Sequence, residues 1–338
     1  MLRQIERLTR KVGRAGSDAR AIAVYAEPSA VEPGDGLTTR GARESGAEGV
    51  ACVDDAARAV VLYCRLWRQS RLEQARAAAY GLLRFLAYMQ EPDGRFSNFI
   101  FDWAGRRNRT GATSYPGGGP WQARATHALA CAVGTFGETE WGQRFQLAAG
   151  WLDAPTPYLD VRAVGVLSQL EYWQATGSSA SAARAISWSA EIAAHSSGGR
   201  LLNATGVLPI HLWGHLQERA LANTGAALRR AELVDIARTS AESVLMPAVE
   251  GGFAFTRVLP FDVSCTTLGL AAVADATGEE RYTAAAIRAR EWFGGRNTAA
   301  QAVYDDERGL VFDGIDNGQV SRNSGAESNI EGALALLC

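Results

Sequence analysis

Apolar residues recur at helical spacing along most of the chain, and Gly-rich or Pro-rich breaks separate the segments. Two kinds of helix alternate. One is apolar nearly all round, which indicates burial on every side, and the other is amphipathic and rich in Arg or Ala. The buried kind is predicted to begin near Asp54, Trp121, Tyr158, Pro209, Asp262 and Glu327. The amphipathic partners are predicted at 2–24, 71–90, 138–152, 180–195, 228–247 and 279–294.

Four of the buried helices end in similar segments that contain a glycine, namely Gly137, Gly177, Gly225 and Gly278. Glycine readily adopts the left-handed conformation that closes a helix, so each of these residues is predicted to follow a helix C-terminus. The glycines are 40, 48 and 53 residues apart, which fits one helical hairpin per repeat.

Six buried helices alternating with six amphipathic ones predict an all-α fold, an (α/α)6 barrel formed as one domain by residues 1–338. The inner helices of such a barrel run parallel, so their N-termini and the preceding loops gather at one end, the mouth. Residues 43–48 and 322–327 have similar sequences and precede the first and last inner helices, as expected for neighbours in a closed ring. The alternative is an open α-solenoid; the long loops at 91–120 and 295–326 favour the closed barrel.

Composition narrows the range of functions. The net charge of −2 offers no basic surface for nucleic acid, and no apolar run approaches the ~18 residues that cross a membrane. The five cysteines are scattered and include no Cys-x-x-Cys pair, which favours free thiols in the cytoplasm over disulfides or a zinc site. Lys11 is the only lysine and lies in a charged N-terminal segment, so Schiff-base or pyridoxal chemistry is not expected. We predict no cofactor and no metal.

Asp54 and Asp55 are adjacent carboxylates at the start of a long apolar helix. A carboxylate removed from water needs a partner, so the pair either caps the helix or lines a cavity in which it does chemistry. Aspartate is a favoured N-cap residue, and Arg58 lies one turn on as a partner. One aspartate suffices for a cap. We therefore predict that Asp54 caps the helix and that Asp55 belongs to the site, while Asp54 stays a second catalytic candidate.

Glu327 and Glu331 form an i, i+4 pair on the last inner helix, a spacing that places both side chains on one face. Ser324 followed by Glu327 also matches a capping box, which is the structural alternative for Glu327. Glu331 lies one turn deeper in an apolar helix, where capping does not explain it. We predict that both glutamates belong to the catalytic site.

Aromatic and hydrogen-bonding residues are interleaved between positions 91 and 122. Aromatic faces pack on the C–H faces of a sugar and polar groups bind its hydroxyls, so the segment is a candidate carbohydrate-binding loop. The alternative is a loop that only covers the barrel end. Candidate substrate-binding residues here and around the mouth are Asp102, Trp103, Tyr115, Trp121, Arg124, His211, Arg322 and Asn323.

Two further groups are weaker candidates. The four aspartates between 305 and 316 lack the ligand order of a calcium loop and are interpreted mainly as turn residues, one of which could reach the mouth. His211 and His215 form an H-x3-H pair without the glutamate and third ligand of a zinc hydrolase. We interpret them as hydrogen-bonding or site-lining residues.

Three segments, VDDAARAVVLY, DGRFSNFIFDW followed by GPWQARATHALACA, and SRNSGAESNIEGALAL, carry a resemblance to known proteins. Together they resemble the six-hairpin glycosidase-like superfamily, in particular uncharacterised bacterial helical domains attached to, or encoded beside, glycosyltransferases. A DDNARA-like pattern of that group matches residues 54–59, with Ala56 in place of Asn. A GAES pattern matches residues 325–328. The resemblance implies an (α/α)6 barrel, a carbohydrate substrate and a functional link to glycosyltransferases.

Four functional hypotheses stay open on the sequence. An inverting glycoside hydrolase would use one of the aspartates and one of the glutamates, with the carboxyl groups about 6.5–9.5 Å apart. A sugar epimerase or lyase of the same fold would rely on histidine for proton transfer, with His127, His211 and His215 as candidates. A glycan-binding protein would use the aromatic residues without catalysis. A helical terpene cyclase is disfavoured because its acidic motifs are interrupted at Cys52 and Arg58.

Overall fold

The computed structural model describes residues 2–29, 36–41, 48–206 and 210–338. Its α-helices are α1 (Arg3–Leu8), α2 (Val53–Ser70), α3 (Glu73–Met89), α4 (Gly119–Phe136), α5 (Thr139–Ala149), α6 (Leu159–Thr176), α7 (Ser179–Ala194), α8 (Gln217–Leu228), α9 (Ala231–Ser240), α10 (Met246–Glu250), α11 (Pro260–Thr277), α12 (Glu280–Arg290) and α13 (Ala326–Leu336). A π-helical segment (Ala241–Leu245) joins α9 to α10, and short 3-10 helices (Gly150–Asp153 and Glu291–Gly294) follow α5 and α12.

The inner ring consists of α2, α4, α6, α8, α11 and α13, and each of these helices packs against the next. Helix α13 also packs against α2, which closes the ring and excludes the open solenoid. The outer helices α3, α5, α7, α9, α12 and α1 pack on α2, α4, α6, α8, α11 and α13 respectively. Each inner helix is therefore surrounded by other helices, which is why its sequence is apolar on nearly every side. The predicted (α/α)6 barrel is confirmed.

Five of the inner helices begin within two residues of their predicted positions. The fourth was predicted to begin near Pro209, which lies outside the described residues, and α8 begins at Gln217. Helix α8 has 12 residues, whereas α4 and α6 have 18 each, so it lacks the first turns at the mouth. Most of the similarity between 43–48 and 322–327 also falls outside the described residues.

At the end of the barrel opposite the mouth, the inner and outer helices of five hairpins are each connected by a link of only two residues. Each link begins in the left-handed conformation, with φ of 54° at Arg71, 70° at Gly137, 73° at Gly177, 55° at Arg229 and 73° at Gly278. The prediction of left-handed closing residues is confirmed for the three glycines among them.

Gly225 does not close a helix, contrary to the prediction. It lies inside α8, where an added Cβ would come within 2.6 Å of Val234 Cγ2 and 2.8 Å of the Arg230 carbonyl oxygen. The absence of a side chain lets α8 and α9 approach closely, and Arg229 takes the left-handed position four residues later.

The predicted helix over residues 2–24 is also wrong. Only Arg3–Leu8 is α-helical, and the antiparallel strands β1 (Thr9–Lys11) and β2 (Arg20–Ile22) follow it. Between them, Gly16 adopts φ of 99° in a turn that a helix cannot continue through. Strand β2 packs on α3, so its apolar residues are buried without being helical.

Long connections with short strands build the mouth. The strands are β3 (Ala26–Pro28), β4 (Leu37–Thr39), β5 (Ala51–Cys52), β6 (Phe99–Ile100), β7 (Ser196–Ser197), β8 (Arg200–Leu201), β9 (Arg257–Val258), β10 (Tyr304–Asp305), β11 (Leu310–Val311), β12 (Ile315–Asp316) and β13 (Gln319–Val320). Strand β5 pairs with β6, and β12 pairs with both β9 and β13, so loops from different hairpins are joined. Among the described residues, no helix is both long and apolar enough to cross a membrane.

Candidate functional site

Helix α2 begins with two aspartates that do not cap it. Cys52 is the N-cap residue, and its Sγ accepts a hydrogen bond from the Asp55 N–H at 3.4 Å. Asn98 Oδ1 accepts one from the Asp54 N–H at 3.1 Å. These two contacts satisfy N–H groups of the first turn, so both carboxylates are free for other contacts. The prediction that Asp54 is the cap is wrong.

Arg58 lies one turn into α2 and contacts all four predicted catalytic carboxylates. Its Nη2 is 2.8 Å from Asp54 Oδ2, and its Nη1 is 2.6 Å from Glu327 Oε2. Its Nη1 is also 4.0 Å from Asp55 Oδ1, and its Nε is 3.6 Å from Glu331 Oε1. Burial lowers the pKa of Arg58, but these four carboxylates raise it well above its usual value. A permanently charged guanidinium therefore holds the acidic groups together.

A second arginine and an aromatic ring also lie against the cluster of carboxylates around Arg58. Arg124, on α4, places Nη1 3.0 Å from the same Asp54 Oδ2 that Arg58 contacts. Both guanidinium groups lie over the ring of Phe261, on α11, at 4.5 Å for Arg58 and 5.2 Å for Arg124. Cation–π contact with one ring helps to hold two like charges close together. Arg124, predicted as a substrate-binding residue, thus lies at the acidic cluster.

Burial keeps protons on part of the cluster near neutral pH. It raises the pKa of Asp55 to about 7, with Arg58 opposing the shift and Asp54 and Glu327 adding to it. It likewise raises the pKa of Glu331 to about 7, again against the effect of Arg58. Burial also raises the pKa of Asp54. A carboxyl group that still holds its proton near pH 7 can serve as a general acid.

A cavity of about 430 Å³ opens at the mouth beside this cluster. Asp54, Asp55 and Glu327 line it, whereas Glu331 does not and is 4% exposed. The other lining residues are Val24, Tyr25, Cys52, Asn98, Phe99, Thr113, Pro120, Trp121, Arg257, Leu259, Asp313, Gly325 and Ser328. The cavity is large enough for a sugar-sized ligand.

Asp313 adds a further carboxylate to the cavity. It lies in the segment before α13, and its Oδ1 accepts a hydrogen bond from the Gly325 N–H at 2.8 Å. Burial raises its pKa. Gly325 has no room for a side chain, because a Cβ would come within 2.7 Å of the Val24 carbonyl oxygen. The glycine of the GAES segment thus lets α13 begin at the cavity wall, next to Asp313 and Glu327.

A second cavity of about 430 Å³ adjoins the first, since Arg257 and Leu259 line both. Its rim carries Trp213 and Phe255, which are 49% and 50% exposed. His211, a predicted substrate-binding residue, lines the same cavity and stacks on Trp213 with ring centroids 4.0 Å apart. Exposed aromatic faces beside polar groups are typical of sugar-binding surfaces.

Asp262 is the acidic group of this second cavity. Its Oδ2 accepts a hydrogen bond from the Leu259 N–H at 2.7 Å, which caps α11. Burial nevertheless raises its pKa to about 6, and the hydrogen bond from Leu259 opposes the shift. The sequence had indicated Asp262 as the start of an inner helix and as a weaker candidate for a polar group at the mouth.

Some of the other predicted substrate-binding residues lie at the mouth cavities, and some do not. Trp121 lines the first cavity, and Tyr115 packs against it edge to face at 5.2 Å. Asp102 and Trp103 line neither mouth cavity: Asp102 pairs with Arg106, and the Trp103 carbonyl accepts a hydrogen bond from the Gly13 N–H. They belong to a hairpin that packs on the N-terminal segment.

Arg322 and Asn323 also line neither mouth cavity. Arg322 lies over the ring of Phe312 at 5.1 Å, and the Asn323 carbonyl accepts a hydrogen bond from the Asp313 N–H at 2.8 Å. Asn323 therefore acts through its backbone, by fixing the segment that carries Asp313.

The histidines lie apart from the first cavity. His215 is fully buried and its Nε2 is 3.0 Å from Glu218, whereas His211 faces the second cavity. His127 lies midway along α4 and lines a cavity at the opposite end of the barrel. Within residues 2–29, 36–41, 48–206 and 210–338, no three His, Cys, Asp or Glu side chains are arranged to hold a metal ion.

Sequence reasoning did not assign Arg58, Asp313 and Arg257 to the site. Arg58 was interpreted as a cap partner, although a buried arginine four residues after Asp54 was a signal for a buried ion pair. Asp313 was one of four aspartates interpreted mainly as turn residues, one of which could reach the mouth, and nothing in its own segment distinguishes it from Asp316. Arg257 faces both cavities through the pairing of β9 with β12, a long-range contact without a local sequence signal.

No protein-family model matches the chain, and no curated protein does. Solved structures do resemble it. The cellobiose 2-epimerase of Bacillus thermoamylovorans has a TM-score of 0.70 at 9% identity, covering 85% of this chain and 87% of its own. A D-mannose isomerase has a TM-score of 0.69 at 11% identity, covering 94% and 90%. The GH76 α-mannanase of Bacteroides thetaiotaomicron has a TM-score of 0.62 at 11% identity, covering 86% of each chain.

These similarities support the (α/α)6 barrel fold that the sequence resemblance implied. The proteins with this fold include enzymes that isomerise sugars and enzymes that hydrolyse glycans, as their names state. The same fold thus supports more than one kind of carbohydrate chemistry.

Proposed function

We propose that this protein is an inverting glycoside hydrolase that acts on an oligosaccharide or polysaccharide. The observation that carries the proposal is the first mouth cavity, where a carboxyl group with a pKa near 7 and a more exposed carboxylate face the same space. Inverting hydrolysis needs an acid that protonates the leaving oxygen and a base that takes a proton from water as the water attacks.

Asp55 fits the acid better than Asp54 does. Burial raises the pKa of Asp55 to about 7, so it holds a proton close to neutral pH. Asp54 Oδ2 is instead shared by Arg58 and Arg124, at 2.8 Å and 3.0 Å. This double contact suits a residue that fixes the two arginines and binds substrate. In the proposed step, Asp55 donates its proton to the glycosidic oxygen as the C–O bond breaks.

Glu327 fits the base better than Glu331 does. Its side chain is 41% exposed and lines the cavity, so a water molecule can reach it. Glu331 lies one turn deeper, does not line the cavity, and faces the Nε of Arg58. We assign Glu331 to positioning Arg58. The water adds its oxygen to the anomeric carbon, and Glu327 accepts the proton that the water releases.

The two adjoining cavities support a substrate longer than one sugar. Trp121 and Phe99 offer aromatic surface in the first cavity, and Trp213 and Phe255 offer it in the second. Arg257 and Leu259 lie between them, so a chain could occupy both cavities across the scissile bond. A link to glycosyltransferases and a cytoplasmic location stay predictions from the sequence.

A sugar epimerase is the alternative reaction class, supported by the fold of the epimerases and the isomerase. Proton transfer by histidine would then centre on His211 in the second cavity. Exchange of a sugar C–H hydrogen with deuterated water, without bond cleavage, would favour this reaction over hydrolysis.

The proposal is tested by incubating the protein with an oligosaccharide library and following the products by mass and by NMR of the new anomeric centre. We expect addition of one water per cleaved bond and inverted configuration. Asp55→Asn and Glu327→Gln should each lower kcat by about 100-fold or more. The control is Asp235→Asn, because Asp235 is 70% exposed on the outer helix α9. Full activity in both site variants, or retained configuration, would overturn the assignment.

A further inference from the structure

A third cavity, of about 450 Å³, lies at the end of the barrel opposite the mouth. Its lining residues come from the inner helices α4, α6 and α8, and are His127, Leu167, Leu170, Glu171, Gln174, Arg219, Asn223, Ala226 and Ala227. Exposed Gln174 and Ala226 lie near its opening, next to the two-residue links. His127 and Leu167 lie midway along α4 and α6, so the cavity reaches the middle of the barrel.

Arg219 is a partly buried cation in the wall of this cavity. Among the described residues, no carboxylate lies within ion-pair distance of it, and its side chain makes no hydrogen bond. Burial lowers the pKa of Arg219, and the nearby charge of Arg65 lowers it further, against smaller raising effects of Cys338, Cys131 and Glu171. Removing a guanidinium from water without a partner is costly, so an anion in the cavity would be favoured.

The surrounding charges reinforce this preference. Glu171 is the carboxylate of the cavity wall, and it is already paired with Arg68, which also donates to the Cys131 carbonyl at 3.2 Å. Arg65 donates to the Leu334 carbonyl at 3.4 Å. Glu171 thus neutralises Arg68, whereas Arg65 and Arg219 have no carboxylate within ion-pair distance in the described part of the chain.

The remaining lining groups are uncharged, and several can form hydrogen bonds with hydroxyl groups. Burial lowers the pKa of His127 to about 4, with Arg219 adding to the effect, so its imidazole is neutral and offers one donor and one acceptor. Asn223 and Gln174 each carry an amide donor and acceptor. Leu167, Leu170 and the two alanines supply apolar surface of the kind that packs on C–H groups.

We infer that this third cavity is a second ligand site, separate from the mouth, which binds a small hydroxylated organic anion such as a sugar acid or a sugar phosphate. The guanidinium of Arg219 pairs with the anionic group, and His127, Asn223 and Gln174 hydrogen-bond with hydroxyls. The inference does not depend on the reaction proposed for the mouth, because the lining residues of the two sites do not overlap.

The test is calorimetric titration of the whole protein with D-glucuronate and with glucose 6-phosphate, alongside D-glucose and inorganic phosphate. We expect one of the two hydroxylated anions to bind, and to bind more tightly than either glucose or phosphate. Arg219→Gln should weaken that binding about tenfold or more, because a charge-assisted contact is lost. Arg229→Gln, at an exposed link of the same end, is the matched control and should leave binding unchanged.

Absence of binding by both hydroxylated anions would overturn the inference. So would glucose binding that is equally tight and equally weakened by Arg219→Gln, which would show that the charge is not used. Equal binding of phosphate would show that the hydroxyls are not used. If Arg219→Gln does not fold, Asn223→Leu replaces it and should weaken binding by the same reasoning. Asp55→Asn should bind the anion normally, so failure of this site and failure of the mouth proposal are distinguishable.

Discussion

The two ends of the barrel are built from the same inner helices but carry opposite charge arrangements. At the mouth, several carboxylates surround Arg58, with Arg124 beside it. At the other end, Glu171 pairs with Arg68, and Arg65 and Arg219 lie near each other without such a pair. Asp54 and Asp55 in the first turn of α2 and Arg68 in its last turn complement the helix dipole, whereas Arg219 lies in the first turn of α8 and does not.

The connections differ as strongly as the charges do. Links of two residues close the far end, whereas the mouth connections before α4 and α13 run over residues 90–118 and 295–325. Short links can only reverse the chain, so the ligand groups of the far end come from the helices themselves. Long loops can add residues such as Asp313 and Trp213 from outside the ring. The long loops therefore place the proposed site at the mouth beside groups that the inner helices alone do not supply.

The largest expected effect comes from removing the central charge of the mouth. Arg58→Gln leaves several buried carboxylates facing one another, and we expect the free energy of unfolding to fall by about 3–5 kcal/mol. Arg219→Gln at the far end removes a cation that has no acidic partner, and we expect its unfolding free energy to stay within about 1 kcal/mol of the wild type. Urea unfolding at neutral pH measures both. Equal losses in the two variants would show that the ends are not electrostatically different.

A smaller effect is expected in the pH dependence of stability. Burial raises the pKa of Asp55 from 3.8 to about 7 in the folded protein, so folding is favoured while the group is protonated. This contribution is complete below pH 3.8 and is lost as the pH rises through about 7. Asp55→Asn stays neutral, so we expect it to gain about 1–3 kcal/mol over the wild type between pH 4 and pH 8.

Thermal or urea unfolding of Asp55→Asn and the wild type at pH 4, 6 and 8 checks this expectation. Exposed Asp235→Asn is the control and should show no such trend. A difference between Asp55→Asn and the wild type that does not change with pH would contradict the raised pKa. Together with the activity of the same variant, the measurement separates the proposed catalytic role of the Asp55 carboxyl from its cost to stability.

The smallest effects are expected at the links of the far end. Gly177 and Arg229 hold equivalent left-handed positions, with φ of 73° and 55°. A side chain is strained in this conformation, so Gly177→Ala should lose about 1 kcal/mol and Arg229→Gly should gain about 0.5–1 kcal/mol. Chemical denaturation of the two variants provides the comparison. Changes of the same sign at both positions would contradict the shared geometry.

Much of the barrel could be predicted from the sequence because helical periodicity and helix-closing glycines are local signals. The starts of α2, α6 and α13 were predicted within one residue. The failures arose where a local signal had another cause. Gly225 serves packing rather than a turn, and the charged and apolar residues after Leu8 form the strand pair β1 and β2 instead of a longer helix. A local sequence pattern does not show whether a glycine closes a helix or makes room for a neighbouring helix, because that depends on which element packs against it.

The sequence indicated which carboxylates lie at the candidate site, but not how they are arranged around Arg58. Asp54, Asp55, Glu327 and Glu331 all meet at Arg58, although Arg58 and Glu327 are 269 residues apart. Asp102 and Trp103 had the composition of sugar-binding residues, yet their hairpin packs away from both mouth cavities. Composition describes what a side chain can bind, whereas the direction in which a long loop folds depends on what it packs against.

By itself the sequence determined the number of hairpins, the parallel inner helices and the concentration of acidic groups at one end, because each follows from spacing within a single helix and its caps. Only the tertiary structure decided that Arg58 joins the carboxylates, that Asp55 and Glu331 are buried enough to keep protons, and that Arg219 faces a cavity without an acidic partner among the described residues. The physical reason is that desolvation and charge pairing depend on groups brought together by closure of the ring, and no single segment contains them.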